Sequence, residues 1–128
     1  MKPDQRLIVR MSEAKFGPYD LDGPVQDEMS LLELSYSRAT GNGCYLMRMD
    51  PGAITIPHEH EGVEDFLVID GDLIESDGTV LGPGDFVSYP PGSHHNSRTE
   101  KGCLPCGCEW AKPDKDEAGG PGGAQRPG

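Results

Sequence analysis

Residues 52–71 read GAITIPHEHEGVEDFLVIDG, a stretch with a glycine at each end. Between its terminal glycines, His58, His60 and Glu64 all occupy even-numbered positions. Successive side chains of an extended strand point to opposite faces, so an extended backbone sends all three side chains to one face. His58 and His60 would then stand about 7 Å apart, close enough for both imidazoles to reach one ion.

The remainder of this stretch predicts the surroundings of these three polar side chains. Gly62 lies just before Glu64 and can bend the chain, which would re-aim the carboxylate. Phe66 and Val68 share the parity of Glu64 and are predicted to form an apolar floor on the inner face. Metal ligands set in an apolar wall are typical of a site with controlled geometry.

Residues 84–95, GDFVSYPPGSHH, place two further histidines at the end of another predicted strand. Neighbouring residues on an extended chain face opposite ways, so only one of His94 and His95 can point inward. Local geometry alone leaves this choice open.

Outside these two stretches, apolar residues recur with a period of two or in short runs, which is typical of β-strands. The predicted strands are residues 29–34, 44–49, 64–69, 73–75, 85–89 and 103–110, with residues 7–9 as a further candidate. Asp77-Gly78 lies between two short apolar runs and predicts a two-residue hairpin. Many short antiparallel strands separated by glycine and proline turns indicate a sandwich or a barrel.

The composition limits the classes of function. The chain has 128 residues, which suits one domain, and its formal charge of −11 argues against nucleic acid as a partner. No stretch approaches the roughly 20 apolar residues that a membrane helix needs. Four cysteines are too few for a secreted disulfide scaffold, so we expect a cytoplasmic protein. Residues 113–128, PDKDEAGGPGGAQRPG, are predicted to form a disordered tail.

Together, the two quoted stretches resemble the paired sequence motifs of the cupins. The first cupin motif has glycine, five residues, His-x-His, three or four residues, glutamate, six residues and glycine, and residues 52–71 match it at every spacing. The second motif has glycine, five residues, Pro-x-Gly, two residues and histidine, and it is matched by Gly84, Pro90, Gly92 and His95.

This resemblance implies an all-β fold, the double-stranded β-helix or cupin jelly-roll barrel, with antiparallel strands and little helix. Residues 1–112 would form the cupin domain, containing the motifs at 52–71 and 84–95. The resemblance also implies that His95 is the fourth ligand. The expected site is one divalent metal ion, most simply Fe2+ or Zn2+ and otherwise Mn2+, Ni2+ or Cu2+, bound by His58, His60, Glu64 and His95.

Within the cupins, the sequence looks most like the ChrR-like subgroup, through residues 64–71, Pro90-Pro91-Gly92-Ser93 and Gly102-Cys103. That subgroup includes the cupin half of zinc-containing anti-sigma factors and small proteins similar to dioxygenases of diketones and aromatic ketones. The first hypothesis is therefore a non-haem Fe(II) dioxygenase-type enzyme acting on a small oxygenated organic compound. The alternative is a non-catalytic zinc-containing sensor or small-ligand-binding regulatory module.

Substrate contacts are harder to predict, because strand parity does not show which aromatic and basic residues face inward. The candidates are Tyr45, Arg48, Tyr36 and Tyr89, each of which could equally be a surface or rim residue. Open sheet edges in similar cupins are commonly covered by a second subunit, so a homodimer is expected.

The pattern Cys103-x-x-Cys106-x-Cys108 is a second cluster with two interpretations. Cys-x-x-Cys can be redox-active or form half of a zinc site. In a final barrel strand, however, Cys106, Cys108 and Trp110 would share a face and could be core residues. We favour buried thiols.

Overall fold

The computed structural model describes residues 5–21, 23–59 and 61–111, and the tail predicted at 113–128 lies outside these ranges. Within them the chain forms eleven β-strands and no α-helix. The strands are β1 (Gly17–Pro18), β2 (Met29–Glu33), β3 (Gly43–Met49), β4 (His58–Glu59), β5 (Val63–Gly71), β6 (Leu73–Glu75), β7 (Val80–Leu81), β8 (Phe86–Tyr89), β9 (His94–His95), β10 (Ser97–Arg98) and β11 (Cys103–Trp110). All six strands predicted as regular elements are present, whereas residues 7–9 form no strand.

The largest layer is a six-stranded sheet in the order β1-β2-β3-β11-β5-β8, and every pairing in it is antiparallel. Its central strand, β11, contains a proline, which cannot donate a hydrogen bond to the ladder. The register of β11 against β5 shifts between Leu104 and Pro105, so this proline lies at a bulge, where the ladder is already interrupted.

The opposing layer is built from shorter pieces, a three-stranded sheet β10-β6-β7 and the pair β4-β9. Residues 52–55 extend this layer, because the amide N–H groups of Gly52 and Thr55 donate to the carbonyls of Thr99 and Ser97. An antiparallel bridge between Ile54 and Arg98 continues the same contact. The two layers enclose the core, and this all-β antiparallel architecture is the jelly-roll barrel that the sequence predicted.

Alternating burial along the long strands shows which side chains fill the barrel. In β5, Phe66 and Val68 are buried whereas Leu67 and Ile69 are exposed. The apolar floor predicted from strand parity is therefore confirmed. The core cluster comprises Tyr19, Met29, Leu31, Tyr45, Met47, Met49, Ala53, Phe66, Val68, Leu73, Tyr89 and Cys103.

The turn between β6 and β7 differs from the predicted two-residue hairpin. The Glu75 amide donates to the Thr79 carbonyl, which leaves a three-residue loop, Ser76-Asp77-Gly78. Within it the Gly78 amide donates to the Glu75 carbonyl, and Gly78 has a φ of 90°. This is the other common hairpin closure, a turn followed by a left-handed residue, which glycine adopts without steric cost.

Candidate metal centre

Glu64 is a buried carboxylate near the start of β5. Glu64 lies two positions before Phe66, so both side chains point into the barrel, and Glu64 is only 1% exposed. One carboxylate oxygen, Oε1, lies 3.2 Å from Nε2 of His95. A carboxylate and an imidazole from distant parts of the sequence therefore meet inside the barrel.

His95 is the inward-facing member of the histidine pair in β9. Its side chain is 12% exposed, whereas His94 is an exposed residue. The Tyr89 ring stacks on the His95 imidazole, with centroids 3.6 Å apart and planes inclined by 8°. The orientation that the family resemblance implied for His95 is the one found here.

The backbone brings His58 to the same end of the barrel. Strand β4 pairs with β9 in antiparallel register, and the Cα of His58 lies opposite that of His95. The chain does not remain extended from 58 to 69 as the parity argument assumed, because it bends at residues 61 and 62 before β5 begins. His60 falls outside the described residues.

Tyr45 holds the second oxygen of the Glu64 carboxylate. Its hydroxyl lies 3.1 Å from Glu64 Oε2 and 3.3 Å from Oε1 of Glu109 in β11. The Tyr45 residue is fully buried, and its ring packs edge-on against Tyr36 and Phe66. These contacts make Tyr45 a positioning residue for Glu64. Glu109 was not predicted from the sequence, where its only signal was an acidic residue in a mostly uncharged strand.

Tyr89 links the imidazole of His95 to a second carboxylate, that of the half-buried Glu75. Its hydroxyl donates to the carboxylate of Glu75, which also accepts a hydrogen bond of 2.5 Å from the Ser97 hydroxyl. Burial and the adjacent Glu75 carboxylate raise the pKa of Tyr89 well above its ordinary value, so the phenol stays protonated. Glu75 and Ser97 were not predicted, because neither belongs to a recognisable motif.

The other two predicted substrate contacts lie in different surroundings. Tyr36 is half-buried and makes an edge-on contact with Tyr45, with ring centroids 5.8 Å apart. Arg48 is exposed on the outer face of β3, and its guanidinium lies 3.9 Å from the centre of the Phe16 ring. The structure does not bring Arg48 to the site.

A small cavity adjoins the Glu64–His95 pair. Its volume is about 10 Å³, and its described lining includes the side chains of Tyr19, Met47, Phe66 and Leu73. A space of this size holds about one water molecule or one ion. A space of this size is too small for an organic molecule.

The sequence matches the family model of the ChrR cupin-like domain over residues 4–112. This chain belongs to the ChrR cupin-like family. A comparison with curated protein sequences finds no significant match.

Solved structures support the cupin fold of this ChrR cupin-like protein. An RmlC-like cupin from Shewanella frigidimarina is 17% identical, with a TM-score of 0.66 over 84% of this chain and 92% of that one. An acetylacetone dioxygenase from Acinetobacter johnsonii is 13% identical, with a TM-score of 0.67 over 82% of this chain and 74% of that one.

A third similar chain comes from the structure of Rhodobacter sphaeroides SigE in complex with the anti-sigma ChrR. It is 16% identical, with a TM-score of 0.63 over 79% of this chain and 51% of that chain. At these identities the likeness establishes the fold alone.

The donor atoms of this ChrR cupin-like protein suit a divalent cation. Imidazole nitrogen with carboxylate oxygen is a borderline set that accepts Fe(II), Zn(II) and their first-row neighbours. Among the residues that the structure describes, no three His, Cys, Asp or Glu side chains are grouped closely enough to hold a metal. His60 lies outside those residues, and only the backbone of His58 is described. The described part of the candidate site is thus the pair Glu64 and His95.

The cysteines of the last strand divide between the two faces of the sheet. Cys103 is buried in the core, where burial and the nearby carboxylates raise its pKa to about 12. Cys106 and Cys108 share a face with Trp110 as predicted, but this is the outer face, where both thiols are half-buried. The prediction that Cys106, Cys108 and Trp110 could be core residues is therefore wrong, because their shared face is the outer one and Trp110 is exposed; of the three thiols, Cys103 alone is buried as favoured.

None of the described residues belongs to a helix long and apolar enough to cross a membrane.

Proposed function

We propose that this protein binds one divalent metal ion inside the cupin barrel through His58, His60, Glu64 and His95. The observation that carries the proposal is the meeting of the buried Glu64 carboxylate with the His95 imidazole at 3.2 Å, beside a cavity of ion size. Burying a carboxylate is costly unless it is paired, and a cation provides that pairing.

The register of β4 supports the assignment of His58, and the sequence spacing supports that of His60. Because His58 lies directly across from His95, its side chain needs only the inward orientation to reach the same ion. His60 follows two positions later, and residues on alternate positions of an extended segment share a face.

Neighbouring side chains would fix the ligands before the ion arrives. The Tyr45 hydroxyl holds one oxygen of Glu64, and the Tyr89 ring fixes the plane of the His95 imidazole. Partners of this kind orient metal ligands and contribute to metal affinity. The apolar walls of Phe66 and Leu73 exclude bulk water from the inner side.

Titration with Co2+ tests the metal site and separates it from the cysteine cluster. Nitrogen and oxygen ligands give only weak visible bands, whereas a bound thiolate adds an intense sulfur-to-metal charge-transfer band in the near ultraviolet. We expect weak bands in the wild-type protein that disappear in Glu64→Gln and persist in Cys106→Ser. A strong charge-transfer band lost in Cys106→Ser would contradict the proposal.

For activity, we propose dioxygenase-type chemistry on a small oxygenated organic compound such as a diketone or an aromatic ketone. Four protein ligands leave two positions of an octahedral Fe(II) ion open, enough for a bidentate oxygen ligand or O2. The similar fold of the Acinetobacter johnsonii acetylacetone dioxygenase supports this hypothesis by analogy only. Because the inner cavity has room for about one ion, the organic molecule would approach from the mouth of the barrel.

Oxygen consumption tests this activity. Protein reconstituted with Fe(II) without air is mixed with a panel of diketones and aromatic ketones, and oxygen uptake is followed. Uptake that requires both iron and Glu64 supports the enzyme, with His94→Ala as the matched control that should retain it. An iron-loaded protein that consumes no oxygen with any member of the panel contradicts it.

The second candidate is a non-catalytic zinc-containing sensor or ligand-binding module. Membership of the ChrR cupin-like family and the small cavity favour it, because a sensor needs no enclosed substrate pocket. Zinc that survives dialysis against a chelator, together with no turnover, is the expected result. Loss of zinc under dialysis, with iron-dependent turnover, would exclude it.

We further propose a homodimer that covers open sheet edges, with a cytoplasmic location. Sedimentation equilibrium tests the first, since a single species of 13.8 kDa would overturn it. Cell fractionation tests the second.

A further inference from the structure

Three thiols from two strands meet on the outer face of the six-stranded sheet. Cys108 of β11 lies directly opposite Cys44 of β3 and shares its face with Cys106, and all three are free, half-buried cysteines. They lie on the face opposite to Glu64, because the inward neighbours in these strands are Tyr45 and Gly107. This cluster is therefore separate from the candidate metal centre.

Cys44 and Cys108 are directly opposite each other in the antiparallel pairing of β3 with β11. The backbone groups of Cys44 point away from β11, since its carbonyl accepts from Leu34, Ser35 and Tyr36 and its amide donates to the Ser35 hydroxyl. The two cysteines thus form a non-hydrogen-bonded pair. In such pairs the Cα atoms are about 4.5 Å apart and the side chains are at their closest.

The distance between Cα atoms distinguishes the three possible pairs of cysteines. A disulfide needs Cα atoms about 4.4–6.8 Å apart, and the cross-strand pair falls within that range. Cys106 and Cys108 are two positions apart on one strand, about 6.6 Å or more, at the far limit. Cys44 and Cys106 are diagonal neighbours at roughly 7–8 Å. The pairing geometry therefore favours Cys44 with Cys108.

We propose that Cys44 and Cys108 form a reversible cross-strand disulfide by exchange with a small-molecule disulfide. One thiolate of the pair attacks a sulfur of the small disulfide, forming a mixed disulfide and releasing one small thiol. The other thiolate attacks the protein sulfur of this mixed disulfide, closing the cross-strand bond and releasing the second small thiol. The pair loses two protons and two electrons, and the small disulfide is reduced to two thiols.

Oxidised glutathione is a suitable probe with the full-length protein. The protein is reduced, freed of reductant and exposed to the probe at mildly alkaline pH, because burial raises the pKa of Cys108 to about 12 and the thiolate is the reacting form. The carboxylate of Asp65 and the thiols of Cys44 and Cys106 face Cys108 and raise its pKa further. We expect the intact mass to fall by two hydrogen atoms, and dithiothreitol to reverse the change.

Serine variants identify the pair. Cys106→Ser is the matched control on the same strand and face, and it should form the internal disulfide as the wild type does. Cys44→Ser and Cys108→Ser should form none and should carry a glutathione adduct instead. Peptide mapping after Glu-C digestion should link the peptide containing Cys44 to the peptide of residues 101–109, and fragmentation within that peptide should place the bond at Cys108 and not at Cys103 or Cys106.

Several outcomes would overturn the proposal. These are a bond between Cys106 and Cys108 in the wild type, glutathione adducts without an internal bond, or disulfide-linked chains on a non-reducing gel. If a serine variant unfolds by circular dichroism, the corresponding alanine variant replaces it, and an unaltered internal disulfide in Cys44→Ala would equally refute the pairing.

Discussion

Gly107→Ala is the substitution for which the structure gives the most direct expectation. Gly107 lies on the inner face of β11, opposite Tyr45 on one side and Phe66 on the other. A Cβ atom built at this position would lie 2.6 Å from Cζ of Tyr45 and 2.7 Å from Cε1 of Phe66. Ordinary carbon contacts are about 3.5–4.0 Å, so both rings would have to retreat by roughly 1 Å.

Neither ring can retreat freely. Tyr45 is fully buried, and its hydroxyl is held by the carboxylates of Glu64 and Glu109. Overpacking of this kind costs about 1–3 kcal/mol of unfolding free energy. A loss of about 1 kcal/mol lowers the Tm of a domain near 100 residues by roughly 4–8 °C. The displaced Tyr45 hydroxyl would also release Glu64, so metal affinity should fall with stability.

Urea unfolding at equilibrium measures the loss of unfolding free energy, and competition with a chromophoric chelator measures the loss of metal affinity. Gly82→Ala is the matched control, since its Cβ would meet nothing within 4 Å and its φ is not positive. That control should change the unfolding free energy by no more than about 0.5 kcal/mol. A Gly107→Ala protein as stable as wild type, with unchanged metal affinity, would refute the packing argument.

Three further predictions concern individual side chains. Tyr45→Phe should weaken metal binding about 10–100-fold, because the Glu64 carboxylate loses the hydroxyl that orients it; unchanged affinity in a metal-competition titration would exclude this role. Tyr89→Leu should also weaken metal binding, because the ring stacked on His95 is lost, whereas Tyr89→Phe keeps the stack and should bind metal as the wild type does; equal affinities in both variants would contradict the stacking argument. The Thr99 hydroxyl and backbone N–H groups hold the pKa of Asp72 below its ordinary value. The contribution of the Asp72 carboxylate to stability is therefore complete above about pH 3.9 and is lost as the pH falls through the folded-state pKa. Urea midpoints measured across this acid range should fall more steeply for the wild type than for Asp72→Asn, and equal slopes would contradict the assignment.

Those features that depend on strand parity could be predicted from the sequence. Phe66 and Val68 face inward as expected, because burial alternates along β5 from Glu64 to Ile69, before the bulge opposite Leu104 and Pro105. The assumption of one extended strand from residue 58 to residue 69 was wrong, because the backbone bends at residues 61 and 62. Strands β4 and β5 therefore belong to different sheets.

Contacts between distant strands were beyond a reading of the sequence. Glu109 reaches Tyr45 because β11 lies beside β3 in the sheet, although 64 positions separate the two residues. Cys44 was not associated with the Cys-x-x-Cys pattern for the same reason, since it meets Cys108 only through sheet register. The length of the β6–β7 loop was missed because Asp-Gly fits two kinds of hairpin closure, and only the backbone hydrogen bonds distinguish them.

We propose that the four predicted side chains hold one cation. The most direct test of this proposal is the elemental analysis of metal per chain in protein purified without an affinity tag, for the wild type, His95→Ala and His94→Ala. The two histidines are adjacent, but one contacts the buried carboxylate of Glu64 and the other is exposed. We expect one equivalent of metal in the wild type and in His94→Ala and almost none in His95→Ala. Full metal content in His95→Ala, or its loss in His94→Ala, would contradict it.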